Sequence, residues 1–138
     1  MLAPIRSVVL SAALVLATTS CGNPSPSRQV ADRFMDLYYA RMNVADAVQL
    51  TGGAARTRLD GELAALKGVP RETPGGEPRV TFSLTSGSEP APTQATYVYH
   101  VVSHTPDVGK VGATLTLTLQ DGHWLVTSLS EVEGPPSS

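Results

Sequence analysis

The residue with the most specific chemistry in this chain is its single cysteine, Cys21. It follows an apolar run from Ser7 to Ala17, which is preceded by Arg6 and followed by three small polar residues. This order is typical of a secretory signal peptide. The eleven residues of the apolar run are fewer than the ~20 that span a bilayer. The pattern therefore predicts export, with residues 1–20 removed and a thiol left at the new N-terminus.

A cysteine directly after the cleavage position resembles a bacterial lipoprotein signal, in which that thiol is lipidated and the cysteine becomes the first residue of the mature protein. Such signals usually have Leu three residues before the cysteine; here Thr18 stands there, and Leu16 lies two residues further back. The resemblance implies palmitate-type chains on Cys21 and a protein anchored outside the cytoplasm, at the cell membrane or the outer membrane. The alternative is an ordinary signal peptide, which would leave a free thiol outside the cytoplasm.

The residues after Cys21 predict a short tether. Residues 21–27 combine the lipidated cysteine with a Pro/Ser linker that contains no core-forming side chain. Six linker residues reach at most about 20 Å. We therefore expect a single domain over residues 28–133, close to the membrane surface, and a disordered tail over 134–138.

The three histidines, His100, His104 and His123, do not form a metal-binding pattern. His100 and His104 share a face of one predicted strand, but four residues at ~3.3 Å each separate them by about 13 Å. No second cysteine and no HExxH motif supplies further ligands. The expectation is that the protein uses no metal and no cofactor.

Acid–base catalysis needs a carboxylate or an imidazole inside a pocket. Asp32 and Asp36 are four residues apart on the first predicted helix, opposite its apolar residues, which favours a solvated face. Glu131 and Glu133 lie at the end of the last predicted strand, and no acidic residue lies within a predicted strand core. The sequence therefore favours a binding protein over an enzyme.

Four aromatic side chains are the candidate ligand contacts: Tyr38, Tyr97, Tyr99 and Trp124. Each combines apolar surface with one hydrogen-bonding group, as small-molecule pockets require. Tyr39, next to Tyr38, could donate a phenol in the same way. The alternative is that each ring packs in or beside the core and its polar group bonds a neighbour.

The first part of the domain predicts three helices. Ser27 is a possible N-cap for a helix over 28–42, and Asn43 caps a short helix through residue 50. A third helix over 54–67 carries leucines on one face, with Gly61 in its interior.

The second part of the domain predicts strands, because the period of apolar residues changes from 3.6 to 2. The predicted strands cover 79–86, 94–104, 111–120 and 123–132. Residues 70–78, 87–93 and 105–110 are predicted connections, rich in Pro, Gly or both.

The Asp121-Gly122 pair between two alternating runs predicts a hairpin with a type I′ turn. Counting outward from the turn pairs Leu119 with Trp124, Leu117 with Val126 and Leu115 with Ser128. The core face then carries Leu115, Leu117, Leu119, Trp124 and Val126. The opposite face carries Thr114, Thr116, Thr118, Leu125, Thr127 and Leu129, and its threonines could also bind something flat or sugar-like.

Helices followed by antiparallel strands predict an α+β domain with the helices packed on one sheet face. The opening helix VADRFMDLYYARM, the short helix VADAVQL and the closing strand motif DGHWLVTSL resemble the nuclear transport factor 2-like family. That resemblance implies a curved, cone-like sheet around an interior pocket. The family includes ketosteroid isomerases, SnoaL-like cyclases, dehydratases and non-catalytic modules, so fold alone does not choose a function.

Three functions remain open from the sequence. The leading one is a membrane-tethered, non-catalytic module of the cell envelope that binds a small apolar ligand or an envelope protein. The second is an isomerase, cyclase or dehydratase with an acid in the cone. The third is a module that forms a homodimer or docks through the outer sheet face. The net charge of −2 and the lack of a basic stripe argue against nucleic acid.

Overall fold

The computed structural model describes residues 23–68, 80–104 and 111–133. The predicted signal segment, Cys21, the connections over 70–78 and 105–110, and the tail over 134–138 lie outside the described residues. Within them, no helix is both long enough and apolar enough to cross a membrane.

The first helix, α1, spans Pro26–Met35 and begins earlier than predicted, because Ser25 and not Ser27 is its N-cap. The Ser25 side chain accepts a hydrogen bond from the Arg28 backbone N–H, and Ser27 is fully buried. The prediction of one regular helix to residue 42 is also wrong. After Met35 the backbone widens into a π-helical turn over Asp36–Ala40.

Two further helices follow. The second helix, α2, spans Val44–Ala47 and continues as a 3₁₀ turn over Val48–Leu50; Asn43 caps it, as predicted, by accepting from the Asp46 N–H. The third, α3, spans Gly53–Ala65 without a break at Gly61. An exposed glycine weakens a helix by about 1 kcal/mol, which the packing of Leu59 in the core outweighs here.

Four antiparallel strands form one sheet in the order β1-β2-β3-β4. They span β1 Val80–Ala91, β2 Gln94–Ser103, β3 Val111–Gln120 and β4 His123–Glu133. The predicted connection over 87–93 is wrong, because β1 continues to Ala91. As β1 is an edge strand with register shifts on either side of Gly87, it tolerates Pro90, which cannot donate to a neighbouring strand.

The β3–β4 hairpin confirms the predicted turn, since Asp121 and Gly122 have φ values of 50° and 77°, as a type I′ turn requires. The predicted pairs hold as far as Leu117 opposite Val126. Beyond that a bulge at Thr127 places Leu129, and not Ser128, opposite Leu115. The Thr127 hydroxyl holds the bulge through hydrogen bonds to the Thr116 carbonyl (3.3 Å) and the Thr118 hydroxyl (3.0 Å).

The bulge changes which face Leu129 occupies. One extra residue reverses the alternation of side chains, so Leu129 packs against the core rather than on the outer face as predicted. The predicted docking surface on the outer face therefore loses one of its two leucines.

The core lies between the helices and one face of the sheet, as an α+β domain of this kind requires. Phe34, Met35 and Leu59 from the helices are fully buried against the sheet. The predicted core face of the hairpin is confirmed for four of its five residues: Leu115, Leu117 and Val126 are fully buried, and Trp124 is partly buried against them. Leu119, near the turn, is only partly buried and does not belong to the core cluster. The chain thus has the predicted α+β architecture, three helices on a curved antiparallel sheet.

Candidate ligand-binding cavity

A cavity of about 510 Å³ opens at one end of the sheet. At this end β1 and β3 begin, β2 and β4 finish, and the π-helical turn and α3 terminate. Most of its wall is apolar and comes from six side chains: Met42, Val44, Leu66, Val80, Val101 and Val111. The polar lining residues are Tyr38, Tyr39, Glu62, Ser103 and Glu131.

Four of the polar lining residues are connected through Arg58, which lies behind the cavity wall. We call this group the rim cluster: Tyr38, Tyr39, Arg58, Glu62 and Glu131. The Tyr38 hydroxyl donates to both Glu62 carboxylate oxygens, at 2.9 and 3.1 Å, and the Tyr39 hydroxyl donates to Glu131. Arg58 reaches both carboxylates at 3.3 Å. The cluster joins the first helical segment, α3 and β4 through hydrogen bonds to charged groups, which are the stronger kind.

The π-helical turn explains how two consecutive tyrosines reach this cluster. Neighbouring side chains on a regular α-helix diverge by about 100°, and a π-helical turn holds more residues and so reduces that divergence. The rings of Tyr38 and Tyr39 meet edge to face at 4.8 Å, and Phe34 stacks on Tyr38 at 5.3 Å. π-Helical turns are frequent at functional sites.

Burial, followed by the hydrogen bond to a carboxylate, raises the pKa of both rim tyrosines well above the ordinary value of a phenol. The same two causes, with Asp32 as the acceptor, raise the pKa of Tyr99. These phenols therefore act as neutral donors at physiological pH.

We expect alkaline pH to unfold the domain before Tyr38, Tyr39 and Tyr99 ionise. Unfolded phenols lose their protons near pH 10 (about the model-peptide value), whereas the folded ones retain them. Above that pH the unfolded state binds fewer protons, so the free energy of unfolding falls as pH rises. Phenolate absorbance and circular dichroism, followed in one titration, should change together. Ionisation of all the tyrosines in a domain that stays folded would contradict this result.

The other predicted ligand contacts lie elsewhere, so the structure does not bring the four together. Tyr99 is 1% exposed, and its hydroxyl donates to Asp32 at 2.6 Å. Tyr97 is bonded to Ser27 and lines a separate depression of about 290 Å³. Trp124 lines neither. Only Tyr38 lines the larger cavity.

Asp32 differs from the solvated residue that its helical position predicted. It is partly buried, and it accepts from Tyr99 as well as from Arg28 at 3.0 Å. Asp36 is partly buried as well, and its carboxylate pairs with Arg41 at 2.8 Å.

Sequence reasoning missed Arg58, Glu62 and Glu131 as site residues. The four-residue spacing of Arg58 and Glu62 on α3 was a visible signal of an ion pair. Glu131 was assigned to a frayed strand end, and only the bulge at Thr127 aligns it with Leu129 on the inner face. Among the described residues no group of three or more His, Cys, Asp or Glu is placed to hold a metal ion.

Comparison with solved structures finds this fold in other proteins of unknown function. An NTF-2-like protein from Shewanella oneidensis superposes with a TM-score of 0.56 and 17% identity, covering 75% of this chain and 97% of that chain. A protein with a cystatin-like fold from Nostoc punctiforme gives a TM-score of 0.51 and 13% identity, covering 80% and 90%. No family model and no curated protein matches. At these identities the likeness shows the nuclear transport factor 2-like fold, and fold does not determine function.

Proposed function

We propose that this protein is a lipid-anchored component of the bacterial cell envelope whose domain binds a small, mainly apolar ligand. The observation that carries the proposal is the cavity of about 510 Å³ with its apolar wall and few polar groups. Concave sites of this size and composition are typical of small-molecule binding. The signal-like N-terminal segment ending at Cys21 supports the anchor.

Met42 strengthens the assignment to this cavity. It lines the cavity with 72% of its surface exposed, and its backbone has a φ of 50°. This left-handed conformation ends the helical segment, as at many helix C-termini, with the Asn43 N–H donating to the Leu37 carbonyl at 2.8 Å. A flexible thioether side chain on an exposed rim is suited to contact an apolar ligand.

The rim cluster supports binding more strongly than catalysis. A general base needs a free lone pair directed at the substrate. Here the Glu62 and Glu131 carboxylates each accept from a phenol and from Arg58. Each phenol is in turn committed to its carboxylate. The cluster therefore holds the cavity rim in shape and presents polar edges to a ligand, and an acid–base reaction would first have to break these pairs.

The binding proposal is tested with N-phenyl-1-naphthylamine, a neutral apolar dye, and the unlipidated mature chain. We expect saturable binding that Leu66→Arg weakens by about tenfold or more, which corresponds to at least ~1.4 kcal/mol. Leu66 lines the cavity and is 49% exposed, so the charge perturbs the wall without entering the core.

The matched control is Val132→Arg, at an exposed apolar position that does not line the cavity. It should bind the dye as the parent chain does. Absence of saturable binding to the parent chain, or equal loss in both variants, would reject the cavity as the binding site. Thermal unfolding of both variants checks that each is folded.

A further inference from the structure

The N-terminal segment is fixed to the domain earlier than the linker composition predicts. Ser27 is fully buried, and its hydroxyl donates to Glu89 at 2.5 Å and lies 2.7 Å from the Tyr97 hydroxyl. Ser25 lies 3.2 Å from the same hydroxyl. The hydrogen bond from Ser27 lowers the pKa of Glu89, which keeps this acceptor charged.

This attachment extends to Pro24 and shortens the free tether. The Gln29 side-chain amide donates to the Pro24 carbonyl at 2.9 Å. From Cys21 to Pro24 there are three peptide steps, which reach about 11 Å at most. A linker free as far as residue 27 would reach about twice as far. The acyl chains on Cys21 would therefore hold one particular part of the domain at the membrane.

That part is nearer the turn end of the sheet than the cavity end. The Tyr97 hydroxyl is within hydrogen-bond distance of both Ser25 and Ser27. Tyr97 is three residues from the start of β2 and six from its end. These separations correspond to about 10 Å and about 20 Å along the strand. The β1–β2 and β3–β4 turns lie at the near end, and Val101 and Ser103 line the cavity at the far end.

The first helical segment, α1 with the π-helical turn that follows it, runs in the same direction as β2, from the turn end towards the cavity. Ser27 contacts Tyr97, Asp32 contacts Tyr99 one strand period further along, and Tyr38 reaches the cavity. The tether and the cavity are thus at opposite ends of this segment. Charge does not choose between the two ends, because carboxylates lie at both: Glu89 and Asp121 at the turn end, and Glu62 and Glu131 at the cavity. The short tether therefore decides which of the two ends faces the membrane.

We infer that the turn end of the domain faces the membrane and that the cavity opens away from it, so that the ligand enters from the aqueous side. This orientation rests on the proposed anchoring at Cys21. It identifies the ligand as an apolar molecule delivered through water or by another protein, and it excludes one drawn directly from the adjacent lipid leaflet.

The orientation is measured on the full lipidated protein in phosphatidylcholine vesicles that carry a headgroup-linked nickel chelate, a short-range quencher. Cys21 is the only cysteine, and in the lipidated protein its sulfur is blocked by the lipid, so an introduced cysteine is the sole free thiol there. Thr93→Cys places a fluorophore in the exposed β1–β2 turn, and Lys67→Cys places one beside Leu66 at the cavity.

We expect several-fold stronger quenching of the label at position 93 than at position 67, and equal quenching of both by a water-soluble nickel chelate. Equal or stronger quenching at position 67 in protein that floats with the vesicles overturns the orientation and leaves the anchor intact. Protein that does not float with the vesicles overturns the anchor and, with it, the orientation.

Discussion

Cys21→Ala should abolish all fatty-acid labelling of the protein and block the processing that globomycin, an inhibitor of lipoprotein signal peptidase, prevents in the parent chain. The thiol is the only sulfur nucleophile in the sequence, so no other residue can replace it. Membrane attachment through acyl chains is worth ~0.8 kcal/mol per buried methylene, and two or more chains make it stable. The effect on labelling is therefore complete, and the variant should accumulate as an unprocessed precursor that still carries residues 1–20.

The matched control for this experiment is Thr18→Leu, which places the usual leucine three residues before the cysteine. It should be labelled at least as well as the parent chain. A parent protein that is unlabelled, insensitive to globomycin and recovered in the water-soluble fraction would reject the anchor, and the ordinary signal peptide would then be the better interpretation.

Gly87→Ala should destabilise the domain by about 1–3 kcal/mol, the range for overpacking a filled site. A Cβ at this position would lie 2.6 and 2.7 Å from two ring carbons of Tyr97, its partner on β2. The ring cannot move aside easily, because Tyr97 is 6% exposed and its hydroxyl is bonded to Ser27. The aromatic ring thus covers the glycine across the strand pair.

The control is the same substitution at Gly61, which should raise the free energy of unfolding instead of lowering it. Gly61 is exposed within α3, and a Cβ there would meet nothing within 4 Å. Alanine should stabilise the helix by about 0.5–1 kcal/mol. Urea unfolding of both variants measures the difference, which is large beside a total stability of roughly 5–15 kcal/mol. A neutral Gly87→Ala would mean that residues 87–93 form the loop that their composition predicted.

The outcome at residues 87–91 shows why composition misled here. Gly, Pro and Ser normally mark a connection, but on an edge strand they are compatible with pairing on one side only. What extends β1 to Ala91 is the partner, since Tyr97 covers Gly87 and Ser27 bonds Glu89. These contacts join residues that are 10 and 62 positions apart, and no local pattern contains them.

The rim cluster was hidden for a related reason. The helical period used to assign faces assumes one constant turn size. The wider turn after Met35 rotates the following helical residues by a fraction of a turn. The extra residue at Thr127 moves the end of β4 by one position along the sheet. Those shifts bring Tyr39 and Glu131 together, and both depend on how the helix and the sheet pack on each other.

The sequence by itself determined the α+β class, the Asn43 cap, the Asp121-Gly122 turn, and the buried face of the last hairpin as far as its bulge. It also contained the whole argument for the proposed anchor at Cys21, because a signal segment is recognised by the local order of its residue types. Only the tertiary structure decided where the cavity lies, which carboxylates meet which phenols, and that Ser25 and Ser27 are held against Tyr97. Caps, turns and periodic faces depend on neighbours within a few residues, whereas a cavity and its orientation depend on contacts between distant segments.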